Sequence, residues 1–126
     1  MPRVTSHVSL SDEAVDADTQ LLRARGELDL YAAPELKRRL ASAIDAGKTR
    51  IVVDLTDAAF MDSTALGVLL GALKRLRVRN GALAVASEQP TILRILEVTG
   101  MNQVLDLHKT ADDAIATVER HTDSTP

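Results

Sequence analysis

The sequence has no cysteine and only two aromatic residues, Tyr31 and Phe60. The absence of cysteine excludes a disulfide framework and thiolate chemistry. Surfaces that stack nucleic-acid bases need aromatic side chains, and a net charge of −3 does not favour contact with a phosphate backbone. We therefore expect no nucleic-acid partner.

Long hydrophobic runs are also missing. No apolar stretch reaches the length of a membrane-spanning helix, and the N-terminus lacks the basic-then-apolar order of a signal peptide. We expect a cytoplasmic protein with no membrane association. The chain has 126 residues, of which 45% are hydrophobic, which suits one packed domain. We expect this domain over residues 1–120, followed by a disordered polar tail at 121–126.

The sequence also lacks the usual constellations of catalytic and metal sites. His7, His108 and His121 are far apart, and none has the spacing to a carboxylate of a known metal motif. There is no glycine-rich phosphate loop and no base or lysine placed to activate a nucleophile. We expect no metal, no cofactor and no enzymatic activity.

Strand and helix patterns alternate along the chain. Predicted strands lie within the first ten residues and at Gln20–Gly26, Arg50–Leu55, Ala82–Ala86 and Val104–Leu107. Predicted helices begin at Ala33, near Ser63, at Pro90 and after Thr110. The acidic segment Ser11–Thr19 is interpreted as a loop, so the first two strands form a hairpin with a long connection. This order predicts an α/β domain with a mixed, mostly parallel sheet and about four helices.

Polar residues follow two neighbouring strands of this predicted sheet. Asp29 comes at the end of the second strand, Asp54 to Asp57 lead out of the third, and Ser63 begins the next helix. Parallel strands align their carboxyl ends at one edge, so we expect these residues to meet there. With no catalytic group among them, the edge is interpreted as a docking surface.

The segment Phe60–Val68 is the strongest functional signal at this edge. Asp62 is a suitable helix N-cap, which leaves the Ser63 hydroxyl free for modification. A phosphate there would add about −1.5 to −2 charges at pH 7 and would lie at the positive end of the helix dipole. The alternative is that Ser63 is only a helix cap. Phe60 and Met61 either pack under the loop or project as apolar contacts.

Gly67 and Gly71 lie four residues apart on the helix that begins near Ser63. Both lower its helix propensity. One explanation is close packing of the helix on the sheet. The other is an exposed flat strip that admits a partner.

Together these residues resemble the STAS-domain anti-anti-sigma factors. The resemblance rests on Gly26-Glu27-Leu28-Asp29, Ile51-Val52-Val53-Asp54-Leu55 and Phe60-Met61-Asp62-Ser63-Thr64-Ala65-Leu66-Gly67-Val68, and covers Val4 to Glu119. Thr64 and Ala65 stand where family members often have serine and glycine.

The resemblance implies a partner-switching module. The unphosphorylated protein binds an anti-sigma factor that is also a serine kinase and thereby releases a sigma factor. The kinase phosphorylates the first hydroxyl residue after the motif aspartate Asp62, which is Ser63, with Thr64 as the alternative. A serine phosphatase reverses the modification. The partner-binding residues are then Asp29, Phe60, Met61, Asp62, Ser63, Thr64 and Gly67.

Other functions are compatible with parts of the pattern. Related STAS domains act as scaffolds of stress-signalling assemblies or are attached to anion transporters. A receiver-like domain phosphorylated on Asp54 is a further alternative, although the acidic pair and the lysine of a receiver are not evident. We expect a monomer, because no large apolar stripe is left over.

Overall fold

The computed structural model describes residues 8–121. Its strands are β1 (Val8–Ala14), β2 (Thr19–Leu28), β3 (Arg50–Met61), β4 (Ala82–Ala86) and β5 (Asp106–His108). Its α-helices are α1 (Ala33–Asp45), α2 (Ser63–Val78), α3 (Pro90–Thr99) and α4 (Ala111–His121), and a short 3-10 helix covers Met101–Gln103. The predicted α/β domain with four helices is confirmed.

The five strands form one mixed sheet in the order β1-β2-β3-β4-β5. β1 is antiparallel to β2, and the other neighbouring pairs are parallel. This agrees with the predicted antiparallel N-terminal strand. Because the strand order never reverses within residues 8–121, this sheet has no topological switch point of the kind at which open α/β sheets usually bind ligands.

Side chains of the central strands alternate between two apolar layers, as the pleat of a strand requires. On one face Ile51, Val53 and Leu55 of β3 belong to a core shared with α1, α2 and α3. On the other face Val52 packs with Ala114 and Val118 of α4. The strand Arg50–Leu55 is therefore buried on both faces, as its continuous apolar sequence predicts.

The prediction of a loop over Ser11–Thr19 is wrong. Its first four residues continue β1, which pairs with β2 as far as Ala14 opposite Gln20. The connection is only Val15–Asp18, closed by backbone bonds from Val15 and Asp16 to the Thr19 carbonyl. The acidic residues of β1 lie on an exposed edge strand, so they carry no apolar alternation that would identify a strand. Val4 lies outside the described residues.

Other boundaries also differ from the prediction, and β2 is longer at both ends than the predicted Gln20–Gly26. β3 continues past Leu55 to Met61, because Asp57 to Met61 pair with the end of β2 across register shifts. The last strand is Asp106–His108 instead of Val104–Leu107. Helix α4 extends to His121, one residue into the predicted tail, and residues 122–126 lie outside the described range.

Candidate docking and phosphorylation site

The loop between β2 and α1 is shaped by Asp29. Its Oδ1 accepts hydrogen bonds from the backbone N–H of Tyr31 at 3.0 Å and of Ala32 at 3.1 Å. This is an Asx turn, in which a short side chain replaces a backbone acceptor. The turn leaves the side chains of Leu30 and Tyr31 55% and 63% exposed. Asp29 therefore contributes to this surface by fixing the loop conformation that exposes Leu30 and Tyr31.

The junction between β3 and α2 is fixed by Asp62. Its Oδ1 accepts hydrogen bonds from the N–H groups of Thr64 at 2.9 Å and Ala65 at 3.0 Å, so Asp62 is the N-cap of α2. Its own N–H donates to the Leu28 carbonyl at 3.0 Å, which ties this junction to the end of β2. The end of β2 before Asp29 therefore lies beside the start of α2 at Ser63, whereas Asp54 and Asp57, which were expected at the same edge, lie within β3.

Ser63 is the first residue of α2, and both Ser63 and Thr64 are exposed. Neither hydroxyl has a hydrogen-bond partner within residues 8–121. The cap is supplied by Asp62 alone, as the sequence predicts. Hence the alternative in which Ser63 is only the helix cap does not describe this structure.

Phe60 and Met61 differ in their burial. Phe60 is 40% exposed at the end of β3, whereas Met61 is fully buried in the core against the helices. Successive strand residues point to opposite faces of the sheet, which explains the difference. The expectation that Met61 contacts a partner is therefore wrong, because Met61 packs in the core beneath the site. Phe60 is the apolar residue at the surface.

Gly67 and Gly71 lie on the exposed side of α2. A Cβ atom added at either position would meet no heavy atom within 4 Å, so close packing of this helix on the sheet does not explain them. The two glycines therefore form an exposed strip on α2, and Gly67 remains in the candidate surface.

The comparisons with known proteins bear on this geometry. The sequence profile of the STAS domain matches residues 13–114. The chain belongs to the STAS domain family. Among the relatives of this STAS domain, an anti-sigma-B factor antagonist of Listeria monocytogenes is 34% identical over 103 residues, which cover 80% of this chain and 89% of that protein.

Solved structures agree with this assignment. An anti-sigma factor antagonist from Mycobacterium paratuberculosis is 25% identical, with a TM-score of 0.81 over 89% of this chain and 94% of that chain. The anti-sigma factor antagonist SpoIIAA in its unphosphorylated form is 26% identical, with a TM-score of 0.78 over 88% and 96%. A structure of SpoIIAA from Bacillus in the phosphorylated form is 25% identical, with a TM-score of 0.70 over 87% and 99%.

Asp54 is not part of the candidate surface of this STAS domain. It is buried within β3, where Oδ1 accepts from the Thr56 N–H and hydroxyl and Oδ2 lies 3.3 Å from Arg23 Nε. Receiver domains have the strand order 2-1-3-4-5, which this sheet does not have. The receiver-like alternative is therefore wrong. Within residues 8–121, no group of three or more acidic or histidine side chains could hold a metal ion.

Sequence reasoning missed Leu30 and Tyr31 as members of the surface. The signal was present, because two large apolar residues directly follow an aspartate in a short loop before a proline-initiated helix.

In the described part of the chain no helix has both the length and the apolar character to cross a membrane.

Replacing Asp62 by alanine is expected to lower the free energy of unfolding by about 1 kcal/mol, because the cap of α2 is lost. Asp62→Asn keeps an acceptor oxygen at the same position and is expected to stay close to wild type. Urea denaturation followed by circular dichroism measures both. Equal losses for the two variants would show that the carboxylate charge, and not the cap, accounts for the effect.

Proposed function

We propose that this STAS domain is an anti-sigma factor antagonist controlled by phosphorylation of Ser63. In its unphosphorylated form it binds an anti-sigma factor that is also a serine kinase, and a sigma factor is released. The observation that carries the proposal is the exposed Ser63 hydroxyl, free of any role in the cap, at the start of α2. The similarity to anti-sigma factor antagonists supports it.

The surroundings of Ser63 have the composition of a protein interface. Leu30, Tyr31 and Phe60 are large exposed apolar side chains that accompany Asp29 and Asp62 at the same sheet edge. Apolar and aromatic anchors with a polar rim are typical of interfaces. We call these residues together with Ser63 and Thr64 the switch surface.

Phosphorylation would act on binding without unfolding the domain. A phosphate on Ser63 would lie at the N-terminus of α2, where the helix dipole favours negative charge by about 0.3–1 kcal/mol. It would also add to the charges of Asp62 and Asp29. An acidic site on the partner would then be repelled, and like charges at an interface cost several kcal/mol. The solved structure of the similar protein SpoIIAA in its phosphorylated form, which has a TM-score of 0.70 to this chain, supports the retention of the fold after phosphorylation.

Ser63 is the proposed acceptor, and Thr64 is the second hydroxyl within reach of the same kinase. The position of Ser63 directly after the capping Asp62 favours it, in line with the family pattern. The proposal includes a serine phosphatase that restores binding and keeps the expectation of a cytoplasmic, non-enzymatic regulator. The STAS-type scaffold is the outcome if Ser63 has no effect on partner binding.

The test combines partner capture with phosphorylation. Wild type, Ser63→Ala, Ser63→Glu and the matched control Thr64→Val are used as bait in lysate of the source cell, and the captured kinase is then purified. We expect it to bind wild type, Ser63→Ala and Thr64→Val alike, and to bind Ser63→Glu about 100-fold more weakly or not at all. The kinase should transfer phosphate from ATP to wild type and Thr64→Val but not to Ser63→Ala.

Two results would contradict the proposal. One is equal capture of the same partners by all variants, which would leave the domain a scaffold of another assembly. The other is phosphate transfer to Ser63→Ala but not to Thr64→Val, which would move the modification to Thr64. Amide NMR shifts that change throughout the phosphorylated protein would contradict the claim that its fold is retained.

A further inference from the structure

A groove between α1 and α2 opens beside the switch surface. Its volume is about 340 Å³, and Thr64 contributes to its lining. Ser63, the proposed acceptor, is the residue next to Thr64. The groove is therefore continuous with the residues that carry the proposed function, although it lies between helices and not at the sheet edge.

The walls of this α1–α2 groove are mainly apolar. Leu40 and Ile44 of α1 and Ala72 of α2 are core residues that form its floor, and the half-buried Val68 of α2 lines its side. A pocket lined mainly by apolar side chains, with a few polar groups, is typical of a site that receives another molecule. Its volume is large enough for one or two apolar side chains of a bound segment.

The groove is open because α2 has glycine at two of its lining positions. Gly67 and Gly71 face empty space, so alanine would fit at either position without a clash. Each glycine nevertheless costs the helix about 1 kcal/mol relative to alanine. Internal packing does not require these glycines, and the feature that they maintain is the open groove.

Charge distinguishes the two ends of the groove. Lys37 lines the groove near the N-terminal end of α1. Arg75 lines it near the other end, and there its Nη2 lies 2.7 Å from Asp45 Oδ1. Hydrogen bonds from Arg38 and then Arg39 hold the pKa of Glu35 below its usual value. Glu35 is ion-paired with these two arginines and not with Lys37. Within residues 8–121, Lys37 has no ion-pair partner.

We infer that the α1–α2 groove receives a segment of the anti-sigma factor kinase that carries an apolar side chain flanked by an acidic residue. The apolar side chain lies against Val68, above the groove floor at Leu40 and Ile44 and beside Gly67 and Gly71. The acidic residue pairs with Lys37 at the end near Thr64. This inference rests on the proposed function and names the chemistry of the partner that it requires.

The same placement accounts for the direction of the switch. A phosphate on Ser63 would lie at the Thr64 end of the groove, where the partner's acidic residue binds. Two anions would then compete for Lys37 and repel each other, so the bound segment would leave. Phosphorylation would thereby block the groove as well as the switch surface.

The test measures binding of the purified anti-sigma factor kinase to purified variants by isothermal titration calorimetry. Gly71→Leu fills the groove with a good helix former, and Gly71→Ala adds a single methyl group at the same position, so the two form a graded series. Lys37→Glu reverses the charge at the groove, and Lys74→Glu makes the same change on α2 outside the lining. We expect about a 30-fold loss for Gly71→Leu, a smaller loss for Gly71→Ala, about a tenfold loss for Lys37→Glu and less than about threefold for the control Lys74→Glu.

The outcomes separate this inference from the proposed function. If Ser63→Glu abolishes binding while Gly71→Leu and Lys37→Glu bind like wild type, the groove inference is overturned and the proposed function stands. If wild type does not bind the kinase, both fall. Circular dichroism verifies that Gly71→Leu is folded, and Lys37→Glu provides an independent test at an exposed position. A dimer of wild type that Gly71→Leu converts to monomer, with unchanged kinase binding, would assign the groove to a second copy of this chain and overturn the inference.

Discussion

Replacing Met61 by alanine is expected to lower the free energy of unfolding by about 2–5 kcal/mol, although its neighbours in sequence form the docking surface. Met61 is fully buried, in the core that joins the sheet to α1, α2 and α3. Its backbone pairs with Leu28, so a cavity here would loosen the contact between the β2–α1 loop and the start of α2. Urea denaturation at neutral pH measures the loss.

The adjacent residue supplies the control. Phe60→Ala is expected to cost only about 1 kcal/mol of stability, because the ring is 40% exposed and leaves a smaller cavity. Its main effect should be on partner binding, where an exposed aromatic anchor is lost. If Phe60→Ala proved more destabilising than Met61→Ala, the assignment of the two side chains to surface and core would be wrong.

Replacing Gly81 by alanine is expected to lower the free energy of unfolding by about 1–3 kcal/mol or more. A Cβ atom at this position would lie 2.2 Å from the Thr49 carbonyl oxygen, which is backbone and cannot turn away. That carbonyl accepts a hydrogen bond from the Ala82 N–H at 2.9 Å, so relief of the clash would disturb the start of the β3–β4 pairing. Thermal and urea denaturation both report the loss.

Gly71→Ala is the matched substitution. It makes the same chemical change on α2, but the new methyl group meets nothing within 4 Å. Because alanine is the better helix former, the variant is expected to gain up to about 1 kcal/mol. A loss of stability at Gly71 similar to that at Gly81 would show that the exposed face of α2 is packed, and would also remove the basis of the α1–α2 groove.

The two aspartates of the switch surface have local structural duties as well as charge. Asp29 closes the turn that exposes Leu30 and Tyr31, and Asp62 caps α2. Each uses only Oδ1 in these bonds within the described residues, which leaves the second carboxylate oxygen available to a partner. Substitutions that test binding should therefore be asparagine, which keeps the local bond, and not alanine.

Much of this protein was readable from its sequence, because the decisive patterns are local. The apolar run of β3, the limits of β4, the start of α3 and the N-cap Asp62 follow from side-chain type and spacing within a few residues. The STAS assignment was also readable, since its motifs are short and lie at fixed spacing. Where apolar alternation was absent, as in the exposed acidic half of β1, the sequence had no signal for a strand.

Other features of the protein depend on contacts between distant segments, and the three-dimensional structure was needed to see them. It extended β3 to Met61 by pairing residues 57–61 with the end of β2, and it placed Phe60 outside and Met61 inside. It also showed that Gly67 and Gly71 face a groove and that Gly81 faces a backbone carbonyl, although all three are the same residue type. The physical reason is that burial and free space are set by neighbours far away in sequence, which no local pattern records.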